Sequence, residues 1–251
     1  MFPPSTFFLL IPAAFSAGVV DSIAGGGGLV TLPALLALGL PPQIALATNK
    51  GQATFGAISS AASFWHRDGI DRDRVPFAFI AGALGSFAGA RLLLAMKPAP
   101  LKPLVLALLV FAAVLVALPP RIRPRAHALA HPRVVLVMVS AILGAYDGFF
   151  RPGVGSMLIV AFATLFDDSL VRASGNAKVV NLASNLAALA LFSWRGSVLW
   201  EIALPMAAAN AAGAFVGSHL AIRRGDRFVR VVVLGVVGAV AVKLAYELVK
   251  G

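Results

Sequence analysis

The sequence predicts an all-α, polytopic membrane protein made of two inverted repeats. Each repeat has about five hydrophobic segments, with a short or broken helix after a glycine-rich motif. Three observations lead there. Of 251 residues, 59% are hydrophobic and only 12% charged, which is not the composition of a water-soluble chain. Uncharged apolar runs such as 134–144 and 231–242 recur along the chain, most within segments near the ~20 residues a helix needs to cross the hydrocarbon layer. Finally, the chain states one pattern twice.

The first copy holds Gly18 and Asp21, the run Gly25, Gly26, Gly27 and Gly28, then Thr48, Asn49, Lys50 and Arg67. The second holds Gly144 and Asp147, then Arg151, Gly153 and Gly155, then Ser174, Asn176, Lys178 and Arg195. Asp21 and Asp147 lie 126 positions apart, as do Gly27 and Gly153. Lys50 and Lys178, Arg67 and Arg195, and the Gly-x-x-x-Gly motifs at Gly85/Gly89 and Gly213/Gly217 lie 128 apart. A two-residue insertion near Gly175 and Ala177 is the expected reason for the change. Fixed offsets over this many pairs mark two homologous halves.

Taken in order, segment one covers 6–24 and closes in the glycines. Segment two, 29–40, is about a dozen residues with Pro33 inside, too short for an upright span and expected to be a half-helix or tilted piece. Segment three, 43–66, is a full span with Asn49 and Lys50 in its first turns. Segment four covers 75–96, and Pro98, Pro100 and Pro103 mark the turn into segment five, 101–118. Segments six (133–148), short seven (154–166), eight (170–194), nine (198–222) and ten (228–249) repeat the series. The domain division is an N-terminal membrane repeat, 1–118, a cytoplasmic linker loop, 119–132, and a C-terminal membrane repeat, 133–251.

A formal charge of +11 raises nucleic acid as a partner, but no basic stripe interleaved with aromatics is present, so none is expected. The basic residues sit in short gaps instead. Placing 67–74, 121–133 and 223–230 inside gathers eleven Lys and Arg there and leaves Lys97, Lys102, Arg195 and Lys250 outside. An odd number of segments per half then inverts the second half, and the location is a cell inner (cytoplasmic) membrane, multi-pass. The absence of cysteine excludes disulfides and thiolate sites. The first residues lack a positive n-region, so the first apolar run is expected to be retained. No metal-ligand spacing and no nucleophile–base pair occurs, so neither cofactor, metal nor enzymatic activity is expected.

Polar residues inside apolar spans are the candidates for function. On a helical segment eight, Ser174, Lys178, Asn181 and Asn185 share one face, and segment three repeats the pattern from Asn49 through Gln52, Gly56 and Ser63. Such stripes face a bundle interior or a watery path, or act as glue between helices. Lys50 and Lys178 are functional charges or snorkel to an interface. At the breaks, Gly27, Gly28, Gly153 and Gly155 free helix N-termini that attract anions, or allow close packing. Arg151, unmatched in the first half, adds a third cation or sits at an interface. Asp21 and Asp147 are proton-coupling candidates, with lysine pairing or helix capping as alternatives. The expected substrate contacts are Thr48, Asn49, Lys50, Ser174, Asn176, Lys178, Asn181, Asn185, Arg151 and the four break glycines. The two Gly-x-x-x-Gly motifs suit close packing within one chain, and a homodimer stays open.

Together, Gly144 to Phe150, Pro152 to Ser156, Asn176 to Asn185, Asp21 to Gly28, Ala47 to Lys50 and Phe55-Gly56 resemble the TauE/SafE family of sulfite-exporter-type permeases, over essentially the whole chain. The branch it resembles is described as probable membrane transporters, and usually has a small residue where this chain carries Arg151. The resemblance implies gradient-driven secondary transport of small sulfur-containing anions such as sulfite or organosulfonates. A passive anion channel, or a transporter of another small carboxylate or oxyanion, is the alternative. A membrane scaffold lacks a loop long enough to recruit partners, and an intramembrane enzyme lacks a catalytic constellation.

Overall fold

In a computed structural model, residues 3–117 and 130–250 are described, and every regular element among them is α-helix. The order is α1 (Pro4–Ala24), α2 (Gly28–Ala37), α3 (Pro42–Trp65), α4 (Val75–Ala95), α5 (Pro98–Ala117), α6 (Pro132–Phe149), α7 (Val154–Leu165), α8 (Leu170–Trp194) and α9 (Trp200–Lys250). The expected linker loop falls, but for residues 130–132, outside the described residues.

Local chemistry sets the ends. Prolines open α1, α3 and α6, where a missing N–H costs nothing. Gly25, at φ 77°, ends α1 and donates its N–H to the Asp21 carbonyl, a left-handed cap. The Ser169 hydroxyl caps α8 by accepting from the Arg172 N–H. Three boundaries differ from expectation, the first at α2, which ends at Ala37 and not at residue 40. α5 starts at Pro98, so Pro100 and Pro103 lie inside it, Pro100 in a first turn whose N–H groups lack helical acceptors anyway. α9 joins expected segments nine and ten and breaks only at Gly225, whose φ of 70° favours glycine.

The two-residue change of offset is also placed elsewhere than expected. α7 has 12 residues against 10 in α2, and α3 and α8 already start 128 positions apart. The extra residues therefore precede α8, and the sequence around Gly175 and Ala177 holds no insertion.

The halves interlock through their small residues. α6 runs along α4, with Gly85 and Gly89 against the carbonyls of Ala141 and Ala145. Correspondingly, α1 runs along the first arm of α9, with Gly213 and Gly217 against the carbonyls of Phe15 and Val19. Any side chain at these glycines would meet backbone oxygen, so the motifs serve packing within the chain. The core divides into a cluster around Leu35, Leu93, Leu101 and Phe192 and another around Phe64, Leu158, Phe162 and Val180. Large apolar side chains such as Phe8, Leu84 and Ile142 point outward, which suits lipid rather than water. Among the described residues four helices, within α1, α4, α6 and α8, are long and apolar enough to cross a bilayer. The chain is a multi-pass membrane protein.

Candidate functional site

The two glycine breaks meet backbone to backbone. A Cβ built on Gly25 would overlap the main chain of Gly155 and Ser156, and one on Gly155 would overlap Gly25. The Ser156 hydroxyl donates to the Ala24 carbonyl at 2.6 Å and ties the second break to the end of α1. Only glycine permits this approach. It brings the ends of α1 and α6, and with them Asp21 and Asp147, into one place.

Each aspartate pairs with the lysine of the other half. Lys178 Nζ lies 2.9 Å from Asp21 Oδ2 and also donates to the Asp21 carbonyl. Lys50 Nζ lies 2.8 Å from Asp147 Oδ1 and 2.9 Å from Asn185 Oδ1. Both lysines are the ninth residue of their helices, two turns in. They are 2% and 0% exposed, and with both ammoniums held by interior carboxylates neither snorkels to an interface.

Arg151 stands between the two pairs. Its guanidinium donates to Asn185 Oδ1 at 2.7 Å, with Asp21 Oδ2 at 3.7 Å and Asp147 Oδ1 at 4.0 Å. The backbone there has φ 78°, a left-handed conformation costly for a residue with a side chain. Gly27 donates its N–H to Asp21 Oδ1 at 3.2 Å, so the entry to α2 already holds a carboxylate. Gly28 packs on Pro152, and Gly153, at φ 83°, precedes α7 without a side-chain cap. Several polar atoms of the centre are buried with no partner among the described residues: Asp147 Oδ2, Asn185 Nδ2, Arg151 Nε and the Tyr146 hydroxyl.

Other expected contacts point elsewhere. Thr48 Oγ1 accepts the N–H of Leu199, and Asn176 Oδ1 accepts that of Asp71. Donors and acceptors are each 128 positions apart, so Asn176 is the counterpart of Thr48, and Asn49 lines up with Ala177. Both hold loops. Asn176 also donates to Asp168, so both its amide oxygen and its nitrogen have a partner in the loops. The Asn49 carbonyl oxygen accepts from Thr31 and Gln52 while its Nδ2 is unpartnered. Ser174 donates to the Ile23 carbonyl, and Asn181 is buried on the same stripe. The centre thus gathers Asp21, Asp147, Lys50, Lys178, Arg151 and Asn185.

One cluster lay beyond sequence reasoning. Arg74 Nη1 reaches both oxygens of Asp168 at 3.0 Å, its Nε lies 3.1 Å from Asp71, and its guanidinium covers the Phe166 ring. This latch ties the loop after α3 to the loop before α8. Burial raises the Asp168 carboxyl above its usual range, with Asn176 and Arg74 pulling it back. Nothing in the sequence marks Asp168 as the partner of Arg74, 94 positions away.

The family profile described as sulfite exporter TauE/SafE matches residues 10–244. A "probable membrane transporter protein" of Haemophilus influenzae is 36% identical over 241 residues, covering 95% of this chain and 94% of that protein. A "probable membrane transporter protein ORF9" of Sinorhizobium sp is 35% identical, covering 94% and 90%. The "probable membrane transporter protein YfcA" of Escherichia coli K12 is 33% identical, covering 98% and 92%. No solved structure matches. A chain with apolar helices around a buried charged centre, matched by this profile from α1 into the second arm of α9, belongs to the sulfite exporter TauE/SafE family of membrane transporters.

Proposed function

We propose that the chain is a secondary transporter of small sulfur-containing anions, such as sulfite or organosulfonates, in the cell inner membrane. It works by alternating access between two inverted repeats, residues 1–118 and 133–251. The observation that carries this reading is the centre itself, where three buried cations face two carboxylates beside unpartnered N–H donors. An intramembrane charge cluster is costly even when paired, and such clusters mark substrate or ion pathways. The direction of the halves is supported by the loop contacts. The start of α3 meets the loop after α8, and the start of α8 meets the loop after α3, as inverted repeats require. Asp21 and Asp147 are the groups through which a proton gradient would couple.

Counterflow of labelled sulfite and methanesulfonate in proteoliposomes tests the reading, with wild type beside Lys50→Ala and Lys178→Ala. Uptake in wild type and its loss in both variants is the expected result. Equal uptake in all three would remove the site from the lysines. Uptake that equilibrates without counterflow would make the protein a channel.

A further inference from the structure

The two halves differ at the centre by two residues that find each other. Arg151 lies 126 positions after Gly25 and adopts the same left-handed backbone, φ 78° against 77°. Asn185 lies 128 positions after Ala57. Neither has a polar counterpart, yet the Arg151 guanidinium donates to the Asn185 carbonyl oxygen at 2.7 Å. Both are buried, and each keeps a donor nitrogen without a partner among the described residues, Arg151 Nε and Asn185 Nδ2. Remove the pair and the charges of the centre balance, with Lys178 on Asp21 and Lys50 on Asp147. With it, three cations stand against two carboxylates.

We infer that Arg151, oriented by Asn185, makes this site selective for a singly charged oxyanion head, a monosulfonate, over both neutral and doubly charged analogues. The inference rests on the centre being the substrate site. A monoanion cancels the one unbalanced positive charge, and two of its oxygens have the free donors of Arg151 and Asn185 to accept from. A dianion leaves a net negative charge in a medium that penalises it, and a neutral sulfone leaves the arginine uncompensated. Arg151 is therefore a specificity-determining residue, and Asn185 both orients it through Oδ1 and offers the anion a second donor through Nδ2. The strained backbone fits this role, because the first half solves the same turn with glycine.

The test is competition against labelled methanesulfonate on the full chain in nanodiscs, using unlabelled methanesulfonate, ethane-1,2-disulfonate and dimethyl sulfone. Wild type should bind methanesulfonate at least tenfold more tightly than the dianion or the sulfone. Arg151→Gly and Asn185→Ala each install what the first half tolerates at the matching position, the glycine itself or the alanine itself. Thermal melting should therefore show both variants folded. Arg151→Gly should lose methanesulfonate binding at least tenfold and with it the preference over the sulfone. Asn185→Ala should weaken binding less, and Arg151→Lys should keep the preference for charge while losing affinity. Wild-type binding that is unchanged in Arg151→Gly, or a preference for the disulfonate, overturns the inference and leaves the transporter reading intact. Failure of wild type to bind or transport any of the sulfur anions overturns that reading and the inference with it.

Discussion

The Lys178–Asp21 and Lys50–Asp147 pairs are built from equivalent positions, yet one is closed and the other open. Around Asp21 both carboxylate oxygens are engaged, one by Lys178 and one by the Gly27 N–H. Around Asp147 only Oδ1 is engaged, and Asp147 Oδ2, Asn185 Nδ2 and Arg151 Nε are all unpartnered nearby. Lys50 divides its donors among Asp147, Asn185 and Ser184. A saturated pair fixes structure, whereas a pair with free donors and acceptors beside it can exchange partners with a ligand. In the transport reading proposed above, the working side of the centre is the Asp147 side, although the sequence patterns of the two halves look alike.

Substitutions can break or sharpen this contrast. The largest effect is expected from Lys50→Ala, which leaves Asp147 buried with only Arg151 at 4.0 Å. Stranding one partner of a buried pair costs about 3–5 kcal/mol. Lys178→Ala should cost less, because Asp21 keeps the Gly27 N–H and has Arg151 at 3.7 Å. Equal losses in denaturant or thermal unfolding of the two variants would erase the distinction. Next comes Gly25→Ala, which forces a methyl group into the Gly155 backbone and should cost about 1–3 kcal/mol while disturbing both pairs together.

The aspartates sharpen the contrast by their conservative variants. Asp21→Asn forfeits a contact that both oxygens make and should lose about 1–3 kcal/mol of stability. Asp147→Asn can keep its oxygen on Lys50, so its stability loss should be the smaller of the two while its transport loss is the greater. A transport assay on folded variants decides this. The smallest effect is expected at the Arg74 latch, where a partly exposed ion pair contributes on the order of 1 kcal/mol or less. Arg74→Ala should leave methanesulfonate affinity within about twofold while changing the rate of counterflow.

The helices were legible because apolar length and proline and glycine punctuation act locally. α8 was bounded to the residue, and α1, α3 and α4 within one or two. The lysines and aspartates were legible as a set because charge inside an apolar span has few harmless explanations. Their pairing was not legible, since it depends on which helices cross, and Lys178 meets a carboxylate 157 positions away. Asn176 shows the limit of reading one line of residues against another. Its letter points to Asn49 as the counterpart, while the loop it holds makes it the counterpart of Thr48. Arg151 was visible as an odd residue, but its meeting with Asn185 required the fold.

The crossed pairing of the halves also orders events while the chain is being made. When the first half enters the bilayer, Asp21 and Lys50 are both present but neither has its partner. Asp147 completes Lys50 only 97 residues later, and Lys178 completes Asp21 after 157. At ordinary rates of synthesis that delay is on the order of ten seconds. For that interval the nascent half carries two charges without their final partners, left to each other, to water or to lipid headgroups. Halves expressed as separate pieces should therefore accumulate only when both are present.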